Sequence, residues 1–210
     1  MTIQAYMQQW RPSAKPASDS RTEKASIVLP PDTNQSGLLT GDRLTAYMDE
    51  IAEKTAFRHS GLPVSASSDE PIDCLNPIRL GDSFSMTAFV TWTNRSTMEV
   101  YVRSFTEDWR TGKQTLCAAT FRTFIAMDAN GKPAFVPQVL PETEEEITLF
   151  KTIDARLASR RHSTEENLQT TDLGTVENFS NNDAFPEETD APIHSSDAYS
   201  AYAAAWSSEW

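Results

Sequence analysis

Apolar residues recur along this chain at two periods, and the change of period divides it. From Leu44 the apolar positions run Leu44, Tyr47, Met48, Ile51, Ala52 and Thr55. This is the i, i+3, i+4, i+7 spacing of a helix that buries one face. Asn34–Arg58 therefore reads as a loop feeding one long helix. Gly37 and Gly41 loosen its start, where the backbone needs conformations closed to other residues. Asp42 follows at a place where free N–H groups suit a carboxylate. Beyond residue 83 the period falls to two. Ser83–Thr93 turns Phe84, Met86, Ala88, Val90 and Trp92 to one side, Met98–Trp109 does the same with Met98, Val100 and Val102, and Leu116–Met127 is the most apolar run. Asn94-Arg95 and Arg110-Thr111-Gly112 supply the hairpin turns. Three consecutive long strands joined by short loops make an antiparallel meander. The helix must bury its stripe against the concave face of that sheet. The fold class is α+β, a curved antiparallel sheet wrapped around one central helix.

The flanks add shorter elements. Lys24–Leu29 is a strand ended by Pro30-Pro31, and Val64–Ile72 has strand character interrupted by Pro71. Leu140–Arg161 is a C-terminal helix. Thr143 and Glu146 have the spacing of a capping box, and Lys151, Arg156, Arg160 and Arg161 crowd its end to match the helix dipole. Residues 1–22 are polar and read as a flexible arm. The domain then spans 23–161.

Charge separates off the rest. The net charge is −12, yet after Arg161 there are ten acids and no Lys or Arg, which leaves 20 acids against 18 bases before it. Residues 162–210 read as an acidic, disordered tail. Its last stretch, Tyr199, Tyr202, Ala203, Trp206 and Trp210, has helical spacing. A nearly neutral domain with an acidic tail lacks the basic footprint that nucleic-acid binding needs. No apolar run reaches transmembrane length, and no signal peptide is visible, so a cytoplasmic protein without membrane insertion is expected. Cys74 and Cys117 fit no metal-ligand spacing and read as buried free thiols. No metal and no cofactor are expected.

Asp49 is the residue that a plain core helix leaves unexplained. It flanks the apolar stripe among the small residues Thr45, Ala52 and Ala56, although Asp is a poor helix former. A carboxylate with open space before it suits acid–base work. Asn34, fifteen positions earlier, reads by itself as turn chemistry. No G-x-S-x-G is present, and His59 reads as structural.

The stretch Asn34, Gly37, Gly41-Asp42 and Met48-Asp49-Glu50 resembles the single-domain acyl-CoA thioesterases of the hotdog fold, the YciA-like and brain acyl-CoA hydrolase group. The likeness continues through Ala56–Gly61, Asn76–Asp82, Arg95–Val100, Glu107-Asp108, Phe124–Asp128, Val136-Pro137 and Pro141–Thr143. It departs at Asp42, where Gly is usual, at Thr40 and Cys74, where Phe is usual, and at the inverted Ser96-Thr97. The resemblance implies hydrolysis of fatty acyl-CoA to free fatty acid and coenzyme A, with Asp49 as general base or nucleophile and Asn34 orienting water or carbonyl. It implies coenzyme A contacts at Arg95, Ser96 and Thr97, and sites built between subunits of dimers that assemble into hexamers. Backbone N–H groups at Gly41 and Asp42 suit an oxyanion, because a helix start carries positive potential. The alternative is a non-catalytic acyl-CoA binder or sensor on the same fold, favoured by the charge of Asp42. A hydratase would carry a D-x-x-x-x-H-type pair, which is not found.

Overall fold

Alternation of period two gives strands and the 3.6-residue stripe gives the helix they enclose. The computed structural model describes residues 14–158. The expectations for residues 1–13, for the end of the C-terminal helix at Arg161, for the acidic tail and for its aromatic end lie outside the described residues. In chain order the elements are β1 (Lys15–Pro16), α1 (Ala17–Ser20), β2 (Thr22–Ile27), a 3-10 turn at Pro30–Asp32, α2 (Gly41–Ser60), β3 (Val64–Asp69), β4 (Asp73–Cys74), β5 (Ser83–Asn94), β6 (Thr97–Asp108), β7 (Lys113–Ala126), β8 (Val139–Leu140) and α3 (Glu144–Lys151). The main sheet has the order β2-β5-β6-β7-β3, with β4 also on β7, and every pairing in it is antiparallel.

Register decides which residues meet the helix. Ala88 pairs with Val102 and Val90 with Val100, while Met98 pairs with Phe124 and Val100 with Arg122. These residues share the inner face, against Leu44, Met48, Ile51, Ala52, Thr55 and Ala56 of α2. Met48 and Ile51 are almost completely buried, and each such side chain stabilises the fold by about 1.5–3 kcal/mol. The helix ends at Gly61, whose φ of 68° lets its N–H turn back to Phe57 O at 2.8 Å.

Trp92 does not join the inner face as the alternation suggests. A bulge between Val90 and Trp92 inserts Thr91 as an extra residue, so Trp92 pairs with Glu99 on the other face. The bulge has a partner that sequence period does not reveal: the Thr91 hydroxyl donates to Glu99 Oε1 at 2.6 Å. Glu99 is fully buried on the outer face. Arg156 reaches it from the helical turn at residues 153–158, with NH2 2.6 Å from Oε1, and its guanidinium lies 4.4 Å from the Phe121 ring centroid.

The expected N-terminal arm and C-terminal helix also change shape. Lys15–Pro16 pairs in parallel with Val139–Leu140, and Ala17 and Ser20 are buried, so order begins well before residue 23. Because Leu140 belongs to β8 and Pro141 follows, the helix starts only at Glu144. The capping box is present: Thr143 Oγ1 accepts from Glu146 N at 3.2 Å, and Glu146 Oε2 accepts from Thr143 N at 3.1 Å. Glu146 Oε1 also takes a hydrogen bond from Arg21 NH2 at 3.0 Å, tying α3 to the start of β2.

His59 closes the N-terminal segment onto α2. Its Nε2 donates to Pro137 O at 3.1 Å, and its Nδ1 lies 3.2 Å from the Ser20 hydroxyl. Burial pushes the His59 pKa below its usual value, more strongly than the Pro137 bond and the Asp19 carboxylate raise it. The folded protein therefore refuses a proton that the unfolded chain accepts below pH ~6.5. Thermal stability is expected to fall as pH drops through ~6.5 toward 5, and less steeply in His59→Gln. A calorimetric pH series checks this, and identical slopes would contradict it. Arg156→Leu takes the guanidinium from a fully buried carboxylate, a loss that costs about 3–5 kcal/mol. Urea titration should show a drop of that order, whereas a change below ~0.5 kcal/mol would mean that the clasp is immaterial.

Candidate active site

The first half of α2, the segment Glu70–Cys74 and the middle of β7 enclose a cavity of about 310 Å³. Gly41, Thr45 and Asp49 line it from the helix, Pro71, Ile72 and Cys74 from the segment, and Arg122 from the strand. The open space before Asp49 lies toward Gly41 and Thr45. Ala52 and Ala56 do not contribute to it, since both are packed into the core.

Asp49 is half-exposed, and its Oδ1 accepts a hydrogen bond from Arg122 Nε at 2.7 Å. Sequence reasoning did not single out Arg122, because it sits in the most apolar strand of the chain. The available signal was its parity with Thr120, Phe124 and Ala126, which puts a charge on an inward-facing position. Cys74, expected to be buried, is exposed at the end of a two-residue strand and lines the cavity; Cys117 is buried.

Asn34 lies in an exposed turn outside this cavity. Its Oδ1 accepts from Ser36 N at 2.9 Å and Leu38 N at 3.1 Å, so the turn consumes its acceptor and leaves the Nδ2 amide as the donor it can present. Gly37, at φ 70°, makes this turn possible and donates to Asn34 O. The loop is pinned to α2 through buried Asp32, whose Oδ1 accepts from Arg43 Nε at 2.8 Å and Oδ2 from the Tyr47 hydroxyl at 3.0 Å.

Gly41 starts the helix after Thr40, and no side chain caps that end. Its backbone is not left-handed, and an added Cβ would meet nothing within 4 Å. The expectation that Gly41 needs a conformation closed to other residues is thus corrected; Gly37 alone carries that need. Asp42 is exposed and does not line the cavity. Arg95 and Ser96 form the β5–β6 turn and Thr97 opens β6, with Arg95 at φ 49° and its carbonyl held by Val136 N at 2.8 Å. That turn lies three residue pairs along the β6–β7 ladder from Arg122, about 10 Å at strand rise. Among the described residues, one chain brings Asp49 and Gly41 together at the cavity, and not Asn34, Asp42 or Arg95–Thr97. Among the described residues, no group of three His, Cys, Asp or Glu is placed to hold a metal, and no helix is long and apolar enough to cross a membrane.

The thioesterase superfamily profile matches residues 37–113. An uncharacterized acyl-CoA thioester hydrolase of Bacillus subtilis, YkhA, is 41% identical over 151 residues, covering 72% of this chain and 88% of the relative. An acyl-CoA hydrolase from Staphylococcus aureus, solved with butyryl coenzyme A, coenzyme A and coenzyme A disulfide, superposes with a TM-score of 0.72 at 36% identity, covering 76% of this chain and 98% of that one. Solved variants of that protein include alanine replacements of one aspartate and one asparagine fifteen positions apart. An apo-hexameric acyl-CoA thioesterase gives a TM-score of 0.70 at 41% identity, covering 73% of this chain and 98% of that one. The helix-enclosing sheet, the carboxylate at its seam and these relatives together establish that the chain belongs to the acyl-CoA thioester hydrolases of the thioesterase superfamily, enzymes of the hotdog fold.

Proposed function

We propose that the protein hydrolyses fatty acyl-CoA to the free fatty acid and coenzyme A, with Asp49 as general base. The observation that carries this reading is the half-exposed Asp49 carboxylate lining a cavity with one oxygen already held. Its other oxygen takes a proton from water as that water attacks the thioester carbon. Negative charge then develops on the carbonyl oxygen and needs donors. The Asn34 Nδ2 amide and the first-turn N–H groups at Gly41 and Asp42 are suited to supply them. Collapse of the tetrahedral intermediate expels coenzyme A as thiolate, which recovers the proton from Asp49 or solvent.

Asn34 does not reach the Asp49 cavity of its own chain, so the reading requires a second copy to complete the site. The fifteen-residue separation of Asn34 and Asp49 equals that of the asparagine and aspartate replaced in the S. aureus relative, which supports pairing these two residues in one mechanism. The proposed assembly is a dimer of hotdog subunits that builds a hexamer; the hexameric state of the apo-hexameric relative supports the hexamer. Arg95, Ser96 and Thr97 are proposed to contact coenzyme A, where Arg95 suits a phosphate, and the proposed compartment is the cytoplasm. The binder reading depended on Asp42 charge in the site. Asp42 is exposed and outside the cavity, so no observation favours that reading.

Asp49→Asn is the proper test, since alanine would leave the Nε of buried Arg122 without its acceptor, whereas the amide oxygen of asparagine can still take that bond. With palmitoyl-CoA as substrate, wild type is expected to turn over steadily and Asp49→Asn to lose at least ~10²-fold in kcat. Unchanged turnover in a folded variant would remove Asp49 from the mechanism, and activity confined to acetyl-CoA would remove the fatty acyl specificity. Asp42→Gly is expected to leave kcat unchanged while lowering Tm, because it loses a favourable dipole interaction of ~0.3–1 kcal/mol and adds backbone freedom. A large rise in kcat would show that the carboxylate does oppose the oxyanion.

A further inference from the structure

A guanidinium on the inner face of a sheet persists only if its donors are matched. Arg122 is 3% exposed, and its matching is lopsided. NH1 donates to Glu70 O at 2.5 Å, to Thr120 Oγ1 at 2.7 Å and to Phe121 O at 3.2 Å. Thr120 and Phe121 belong to β7 itself, and Glu70 directly follows β3, which pairs with β7. The guanidinium is thus fixed to the sheet before Asp49 is considered. Nε is then the donor aimed at the helix, and it takes Asp49 Oδ1 at 2.7 Å. Asp49 Oδ2 has no protein donor among the described residues. A half-exposed Asp on a helix otherwise samples several rotamers, whereas base catalysis requires its oxygen held to roughly 0.5 Å.

We propose that Arg122 is the positioning residue of the site: it binds Asp49 Oδ1 on the sheet side and so presents Oδ2 to the water in the cavity. The proposal rests on Asp49 being the general base. Arg122 acts through Asp49 and does not touch the acyl-CoA. Four variants separate these roles: Asp49→Asn, Arg122→Met, Arg122→Lys, and Asp49→Asn combined with Arg122→Met. Each is assayed on palmitoyl-CoA after its melting curve and elution volume are compared with wild type.

Arg122→Met is expected to lower kcat ~10- to 10²-fold, the scale of a misplaced catalytic group, with KM within ~3-fold. Arg122→Lys should recover part of kcat, since its ammonium still reaches a carboxylate. In the Asp49→Asn background, Arg122→Met should cost no more than ~2-fold, because residues that act as a unit are non-additive. Three results overturn the proposal: an equal loss in both backgrounds, a raised KM with kcat kept, or an unchanged kcat. If Arg122→Met fails to fold, Arg122→Lys in the two backgrounds carries the same comparison. Full turnover by Asp49→Asn alone would overturn the general-base reading and this inference with it. A slow Asp49→Asn with additive Arg122 losses would overturn this inference alone.

Discussion

The packing of α2 on the inner face of the β5–β6–β7 meander is the interaction on which the rest of the structure depends. One stripe of the helix, from Leu44 through Met48 and Ile51 to Ala56, is removed from water against Val90, Val100 and Phe124. A helix of twenty residues offers only one such stripe, so its rotation about its own axis is fixed by that burial. Asp49 is next to Met48 in the chain, and the rotation that buries Met48 therefore carries Asp49 to the seam between helix and sheet. The position of the Asp49 carboxylate follows from hydrophobic burial several residues away.

Charge then refines what burial fixes coarsely. Asp32 with Arg43, Glu146 with Arg21, Glu99 with Arg156 and Arg122 with Asp49 each join a largely buried charged group to a partner from another segment. Such pairs add little net stability over apolar substitutes, yet they penalise any arrangement that separates the partners. Asp32 fixes the loop that carries Asn34. Glu146 and Glu99 hold the C-terminal helical segments to β2 and the outer face. The Arg122 pair differs from the other three, because its carboxylate faces a cavity and its guanidinium is the buried partner.

The fold was legible from periodicity because core burial is what periodicity records. The helix stripe, the three long strands, their turns and the Thr143–Glu146 capping box all follow from side chains a few residues apart. Trp92 was misplaced because the Thr91 bulge is stabilised by Glu99 across the ladder, a non-local cause that alternation cannot carry. The N-terminal arm gained order at Lys15–Ser20 through β8 and His59, more than 35 residues away in sequence. Asp49 was legible from its small flanking residues, although the reason was partly wrong: Ala52 and Ala56 are core, and the open space lies toward Gly41. Arg122 went unread because a charge within an apolar strand gains its meaning only when the register sets it opposite the helix.

Asp49, held from the sheet side by Arg122, is proposed as the group that faces the thioester. A crystal structure of the Asp49→Asn variant with unhydrolysed palmitoyl-CoA bound tests it most directly. The thioester carbon is expected within one water of the side chain at position 49, about 3–3.5 Å from that water, with Arg122 still bonded to the sheet and to the inner oxygen. A thioester seated away from this cavity, or an Arg122 guanidinium turned onto the substrate, would contradict it.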